Sequence, residues 1–210
     1  MNSPPWAYRL SISDIDAHYF EGAPDETFCS NCDSLDKIDY IPNRLNVHSG
    51  RIGDIGNTLD GRTVCRSRFR EFCMLAAIDA DFVAIPGDGD LFVFLPTKRI
   101  KFSPDVRPVR FIDSCKICGR FKEVIGSIPP YFDVDPNFSF TGILRSDLEF
   151  GAGRGKAPIL IVDNATGRAM KGSRFRGLTL VGIDPFTTKS QVTAQGPQGP
   201  QVSPISRLRK

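Results

Sequence analysis

Four cysteines stand in two C-x-x-C pairs, Cys29-Ser-Asn-Cys32 and Cys115-Lys-Ile-Cys118. Such a turn presents two thiolates to one metal ion and leaves backbone N–H groups free to bond the sulfurs. Two turns together supply the four ligands of a tetrahedral structural zinc site. The second pair has the full knuckle form, with Gly119 at the position after the second cysteine, where a positive φ is wanted. The first pair has Asp33 there, a residue that tolerates this conformation better than most.

Between Cys32 and Cys115 lie 82 residues, against about 12–20 in ordinary fingers. Loop closure grows by only about 0.6 kcal/mol per doubling of length. Structural zinc yields roughly 10–16 kcal/mol in finger peptides, so the metal outweighs the long insertion. Two disulfides, two unrelated buried pairs or a redox C-x-x-C are the competing readings. A reducing compartment disfavours the disulfides, and neither pair opens a helix after a strand as a redox motif does. The expected ligand set is therefore Cys29, Cys32, Cys115 and Cys118 around one Zn2+, with no coordination position left for a substrate.

Other constellations carry less chemistry. Cys65 and Cys73 would sit about 12 Å apart on an expected helix, beyond disulfide reach, and their shared apolar face makes them core residues. GAGRGK at 151–156 lacks the P-loop spacing and precedes a strand, so it reads as a flexible connection. His18 and His48 belong to no triad or H-E-x-x-H pattern, and no serine has a nucleophile elbow. Asp79, Asp81, Asp88 and Asp90 fit turn chemistry. No catalytic residue is assigned, and the chain reads as a non-enzyme. Arg62, Arg66, Arg68 and Arg70 read as a solvated face, with nucleic-acid contact as the minor reading.

The elements that must position these residues follow from periodicity. Residues 7–12 alternate as a first strand. Residues 35–62 read as loop with short elements. The i, i+4, i+7, i+8, i+11 apolar pattern from Cys65 to Ala76 predicts a helix over 63–79, capped by Asp60 or Thr63. Apolar runs at 82–85 and 91–95 around PGDGD predict a hairpin. The second knuckle runs into a strand. The aromatic-rich loop 127–140 is expected to cover the core. Residues 142–150 read as a strand end or turn, 157–162 as a buried strand, 164–175 as a helix capped by Asp163 or Asn164, and 178–183 as a final strand.

The chain has 210 residues, 40% hydrophobic and 24% charged, an ordinary globular balance. Its net charge is +3, but Lys189, Arg207, Arg209 and Lys210 supply four cations without a balancing acid, which leaves the body near neutral. That argues against a dedicated nucleic-acid binder. No stretch reaches the roughly 18–20 apolar residues of a membrane helix, and MNSPPWAYRL lacks a signal-peptide pattern, so a cytoplasmic location is expected. The Gln-, Gly- and Pro-rich residues 187–210 read as a disordered basic tail. The expectation is one mixed α+β domain over 1–186 with a four-cysteine zinc knuckle, then that tail.

With these residues quoted, a likeness emerges. Two C-x-x-C pairs, the second as CxxCGR before a strand, then GSIPPYF, GILRSDLEFGAGRGKAPILIV and GLTLVGI, resemble the bacterial double-CXXCG motif family. The resemblance spans roughly residues 28–184. It implies an immunity protein that binds and neutralises a cognate toxin in the bacterial cytoplasm, and it carries only the four cysteines residue by residue. Arg145, Asp147 and Glu149 in RSDLEF read as a structural ion-pair network or, alternatively, a partner contact. A zinc-ribbon nucleic-acid-binding or regulatory module is the other functional reading.

Overall fold

A computed structural model of the chain describes residues 5–37, 40–49, 51–104, 109–135 and 138–183. The expected tail, 187–210, lies outside the described residues. In chain order the strands and helices are β1 (Ala7–Ile12), β2 (Asp14–Ala17), β3 (Val47–Ser49), β4 (Ile55–Thr58), β5 (Thr63–Arg66), α1 (Ser67–Leu75), β6 (Ala80–Ala84), β7 (Leu91–Pro96), β8 (Arg99–Ile100), β9 (Arg110–Ser114), β10 (Phe121–Ile125), β11 (Ile143–Ala152), β12 (Ala157–Asp163), α2 (Asn164–Ser173) and β13 (Leu178–Ile183). The fold is mixed α+β: two sheets and two helices.

One sheet runs β13-β1-β12-β11-β10-β9, with β8 pairing β11 in parallel. The other runs β3-β2-β4-β5-β7-β6. β12 (APILIVD) is buried over its last five residues. Such an unbroken apolar run suits a strand with neighbours on both sides and cover on both faces. β1 lies antiparallel to both β12 and β13, so these two are mutually parallel with β1 between them. The strand–helix–strand unit read from the sequence is thus present but split by the first strand.

Asp163 caps α2 by accepting the N–H groups of Ala165 and Thr166, and it also accepts the Gly142 N–H at 2.7 Å. Gly167 and Met170 face the sheet from α2. A Cβ on Gly167 would lie 2.5 Å from Tyr8 Cδ2, so glycine sets the distance between helix and sheet. The main core draws on both sheets and both helices: Tyr8, Leu10, Ile55, Phe69, Phe94, Leu160, Val162 and Met170 pack in one cluster.

The helix expected over 63–79 is corrected at both ends. Thr63–Arg66 is a strand held between β4 and β7, with Val64 opposite Val93 and Cys65 opposite Ile55. Thr63 and Val64 are β-branched and favour that role. The first free N–H of α1, on Ser67, is met by Asp90 Oδ1 at 2.9 Å, not by Asp60 or Thr63. Asp60 is buried instead in the turn beneath Tyr19 and Phe20, whose N–H groups it accepts. The helix stops where Ala77 takes φ 50°, with Ala77 N–H on Met74 O and Ile78 N–H on Cys73 O. That is a Schellman ending built on alanine rather than glycine.

The hairpin β6–β7, the strand after the second knuckle and β1, β12 and β13 lie where expected. β11 corrects another expectation: 143–150 is not a strand end or turn but most of the ten-residue strand Ile143–Ala152. In the 127–140 loop, Phe132 is buried and Trp6, Phe138 and Phe140 pack on the same cluster. Among the described residues, no helix is long and apolar enough to cross a membrane.

Candidate metal centre

The sulfurs of Cys29, Cys32, Cys115 and Cys118 all lie within 4.8 Å of one another. Cys29 Sγ is 3.7 Å from Cys115 Sγ, and Cys32 Sγ is 3.4 Å from Cys118 Sγ. A tetrahedron with metal–sulfur bonds of about 2.3 Å has edges of about 3.8 Å. The donor set therefore fits one metal ion, and no pair is bonded as a disulfide. Cys29, Cys32 and Cys115 are buried, and Cys118 is partly exposed.

The two knuckles repeat each other bond for bond. In the first, Asp33 N–H donates to Cys29 O and Cys29 N–H to Ser34 O, both at 2.9 Å. In the second, Gly119 N–H donates to Cys115 O at 2.9 Å and Cys115 N–H to Arg120 O at 2.8 Å. Phe28 pairs with Leu35 around one knuckle, as Ser114 pairs with Phe121 around the other. Asp33 and Gly119 occupy the same left-handed conformation, at φ 58° and 73°. The unequal sequences thus give equal geometry.

Hydrogen bonds favour the thiolate form at Cys115 and Cys32. The Cys115 thiol is pulled down to about 5, first by the Cys118 N–H and then by the Asn31 side-chain amide, 3.3 Å away. Cys32 is lowered mainly by its hydrogen bond with Ser34. Cys118 moves the other way. The Arg120 N–H would lower it, but burial and the three neighbouring sulfurs outweigh that. Four thiolates this close need a cation among them. One divalent ion with four thiolates carries a net charge of about −2, and three cations surround the cluster.

Those cations also tie the knuckles to each other and to the 151–156 segment. Arg120, from the second knuckle, donates to Leu35 O at 2.6 Å and pairs with Asp36 beyond the first. Arg154 Nε donates to Asp33 Oδ2 at 2.8 Å. Lys156 Nζ donates to Ser34 Oγ at 2.8 Å and also to Phe121 O, one contact on each knuckle. GAGRGK is therefore a docked strap over the metal centre, which corrects its reading as a flexible connection. Sequence reasoning passed over Asn31, Ser34, Arg120, Arg154 and Lys156 as parts of the site. Only Arg120, adjoining the second knuckle, carried a local signal.

Other candidates lie elsewhere. Cys65, on β5 and not on a helix, and Cys73, on α1, are buried in the main core. Arg66 pairs with Asp90, and Arg68 pairs with the buried Asp54 at 2.8 Å while its guanidinium covers Phe175. Both side chains stay partly solvated, as expected, while each is also tied to an acid. Asp88 sits in the β6–β7 turn, and its carboxylate also reaches beyond the turn to accept the Leu45 N–H. His48 lies 3.5 Å from Glu21 beside His18, far in sequence from any other candidate. Among the described residues, Arg145, Asp147 and Glu149 form no ion pair; Asp147 accepts the Phe102 N–H instead. The ion-pair network expected of them is absent there.

Compared with protein-family models, curated proteins and solved structures, the chain matches none, so the four-sulfur geometry has to carry the reading of this site.

Proposed function

We propose that Cys29, Cys32, Cys115 and Cys118 bind one Zn2+ as thiolates, and that the protein acts without catalysis, by binding a partner protein. The observation that carries this reading is the closed set of four sulfurs on two matched knuckles. When bound, zinc supplies four-coordinate cross-linking and leaves no open position for water or substrate. Asn31, Ser34, Arg120 and Lys156 hold the sulfurs and balance their charge. Four thiolates select zinc over oxygen-seeking cations. One zinc per chain by elemental analysis supports the site, and full retention in Cys115→Ser would overturn it.

The partner is a cognate toxin, which the protein neutralises stoichiometrically in the bacterial cytoplasm. Only the resemblance of residues 28–184 to double-CXXCG proteins supports this part. Co-expression with the toxin encoded beside it should rescue growth, whereas unchanged killing would count against the reading. A nucleic-acid-binding ribbon, suggested by the knuckle, the arginines near 62–70 and the basic tail, is the weaker alternative, because the body is near neutral and Arg66 and Arg68 are tied to Asp90 and Asp54. That alternative requires retention on DNA that falls steeply with salt.

A further inference from the structure

A cavity of about 380 Å3 opens between the two sheets beside the metal centre. That size lies within the usual range for small-ligand sites, about 300–1,000 Å3. Its wall includes Arg62 from the β4–β5 turn, Arg99 from β8 and Arg145 from β11, together with the strap cations already described. Glu149 is the one acid on that wall among the described residues. Arg145 and Arg99 also line an adjoining cavity of about 320 Å3.

Arg62, Arg99 and Arg145 differ from the other arginines near the site. Arg120 and Arg154 are spent on Asp36 and Asp33. Among the described residues, Arg62, Arg99 and Arg145 make no ion pair; Arg62 only covers the Phe20 ring, at 5.1 Å. The Arg145 Nε–H is buried without any hydrogen-bond acceptor. An unmet buried donor is destabilising, and a guanidinium held among like charges is more so. Burial and then the charge of Arg99 act most strongly against the charged form of Arg145, and Arg62 adds to them, while Glu149 and Asp81 offset only part of this. A bound anion would remove each of these costs at once. Guanidinium forks match phosphate oxygens in pairs. Tyr19, Tyr40 and Leu95 also line the cavity and offer a less polar surface for the rest of a ligand.

We infer that this cavity binds a small phosphate-bearing anion, with Arg62, Arg99 and Arg145 as its phosphate ligands. A concave site between sheets favours a small molecule over a macromolecular backbone. The inference is independent of the toxin partner.

The test is calorimetric titration of the metal-loaded full chain with inorganic phosphate, ribose 5-phosphate and AMP, for wild type, Arg145→Gln, Arg99→Gln and, as control, Arg168→Gln. The expected result is saturable binding of at least one probe, weakened about tenfold or more in Arg145→Gln and Arg99→Gln and unchanged in Arg168→Gln. Tighter binding of AMP than of phosphate identifies a phosphorylated organic ligand, and equal binding identifies free phosphate. Arg99 is exposed on a two-residue strand, so its variant keeps the test valid should Arg145→Gln misfold. No binding of any probe at millimolar concentration would overturn the inference. So would binding indifferent to both variants.

Discussion

Arg154 Nε lies 2.8 Å from Asp33 Oδ2, and the same guanidinium sits 3.8 Å above the centroid of the Phe28 ring. One side chain of the strap therefore clamps Asp33, the non-glycine residue in the left-handed position of the first knuckle. Arg154→Ala should destabilise the protein by about 1 kcal/mol, since an exposed ion pair and an exposed cation–π contact each contribute about 0.5–1 kcal/mol. Asp33→Gly should change stability by less than about 1 kcal/mol, because relief of left-handed strain opposes the lost pair and a more flexible unfolded chain. The double variant should fall short of the sum, since the two residues share one contact. Urea midpoints at constant slope check all three.

Thiol accessibility should divide the six cysteines into two sets. Burial holds Cys65 far above the ordinary thiol range and pushes Cys73 up to about 12. With zinc bound, a thiol reagent should label none of the six cysteines quickly. After chelation in native buffer, the four of the metal cluster should react and Cys65 and Cys73 should not until denaturant is added. Mass spectrometry of the labelled protein reads this directly, and fast labelling of Cys73 in the native chain would contradict the core placement.

Asp163 joins three N–H groups, those of Gly142, Ala165 and Thr166. Asp163→Ala should cost about 2–3 kcal/mol, since it removes a helix cap and strands a buried donor. Burial alone would raise this carboxyl, but the hydrogen bonds from Thr166, Gly142 and Ala165 outweigh it and hold the carboxyl below its usual value. A depressed folded value means the contribution is complete above the unfolded value, about 3.9, and is lost as pH falls through the folded one. Asp163→Asn should therefore flatten the acid side of the stability–pH curve, which thermal melts between pH 2 and pH 5 would follow.

Gly167→Ala should destabilise the protein although alanine is the better helix former. The gain of up to about 1 kcal/mol in propensity is smaller than the roughly 1–3 kcal/mol of overpacking expected when a methyl group meets the Tyr8 ring 2.5 Å away. Gly172→Ala, where a Cβ meets nothing within 4 Å, provides the contrast and should stabilise or be neutral. Denaturation midpoints of the pair measure the difference.

The sequence made the sulfur set legible because C-x-x-C spacing is local and its chemistry narrow. It also made β12, β13 and the Asp163 cap legible, through an unbroken apolar run and a capping residue ahead of a helix. The α1 boundaries were not legible. The helical pattern ran on through Cys65, since a core-facing strand residue can fall in phase with a following helix, and no glycine marks the left-handed stop at Ala77. The strap was hidden for a different reason. Arg154 and Lys156 reach Asp33 and Ser34 from more than 120 residues away, and no local pattern records such a contact. The same holds for Arg62, Arg99 and Arg145, which three separate elements bring to one cavity.

The position of β1 between β12 and β13 has a consequence for how the protein is made. Ala7 pairs with Asp163 on one side and Ile183 on the other. On a ribosome adding about 5–20 residues per second, the first strand emerges roughly 10–30 s before its neighbours exist. During that interval an apolar segment with both edges bare is open to other chains. Cys29 and Cys32 wait in the same way for Cys115 and Cys118, so metal capture and closure of the sheet both belong to the later part of biosynthesis.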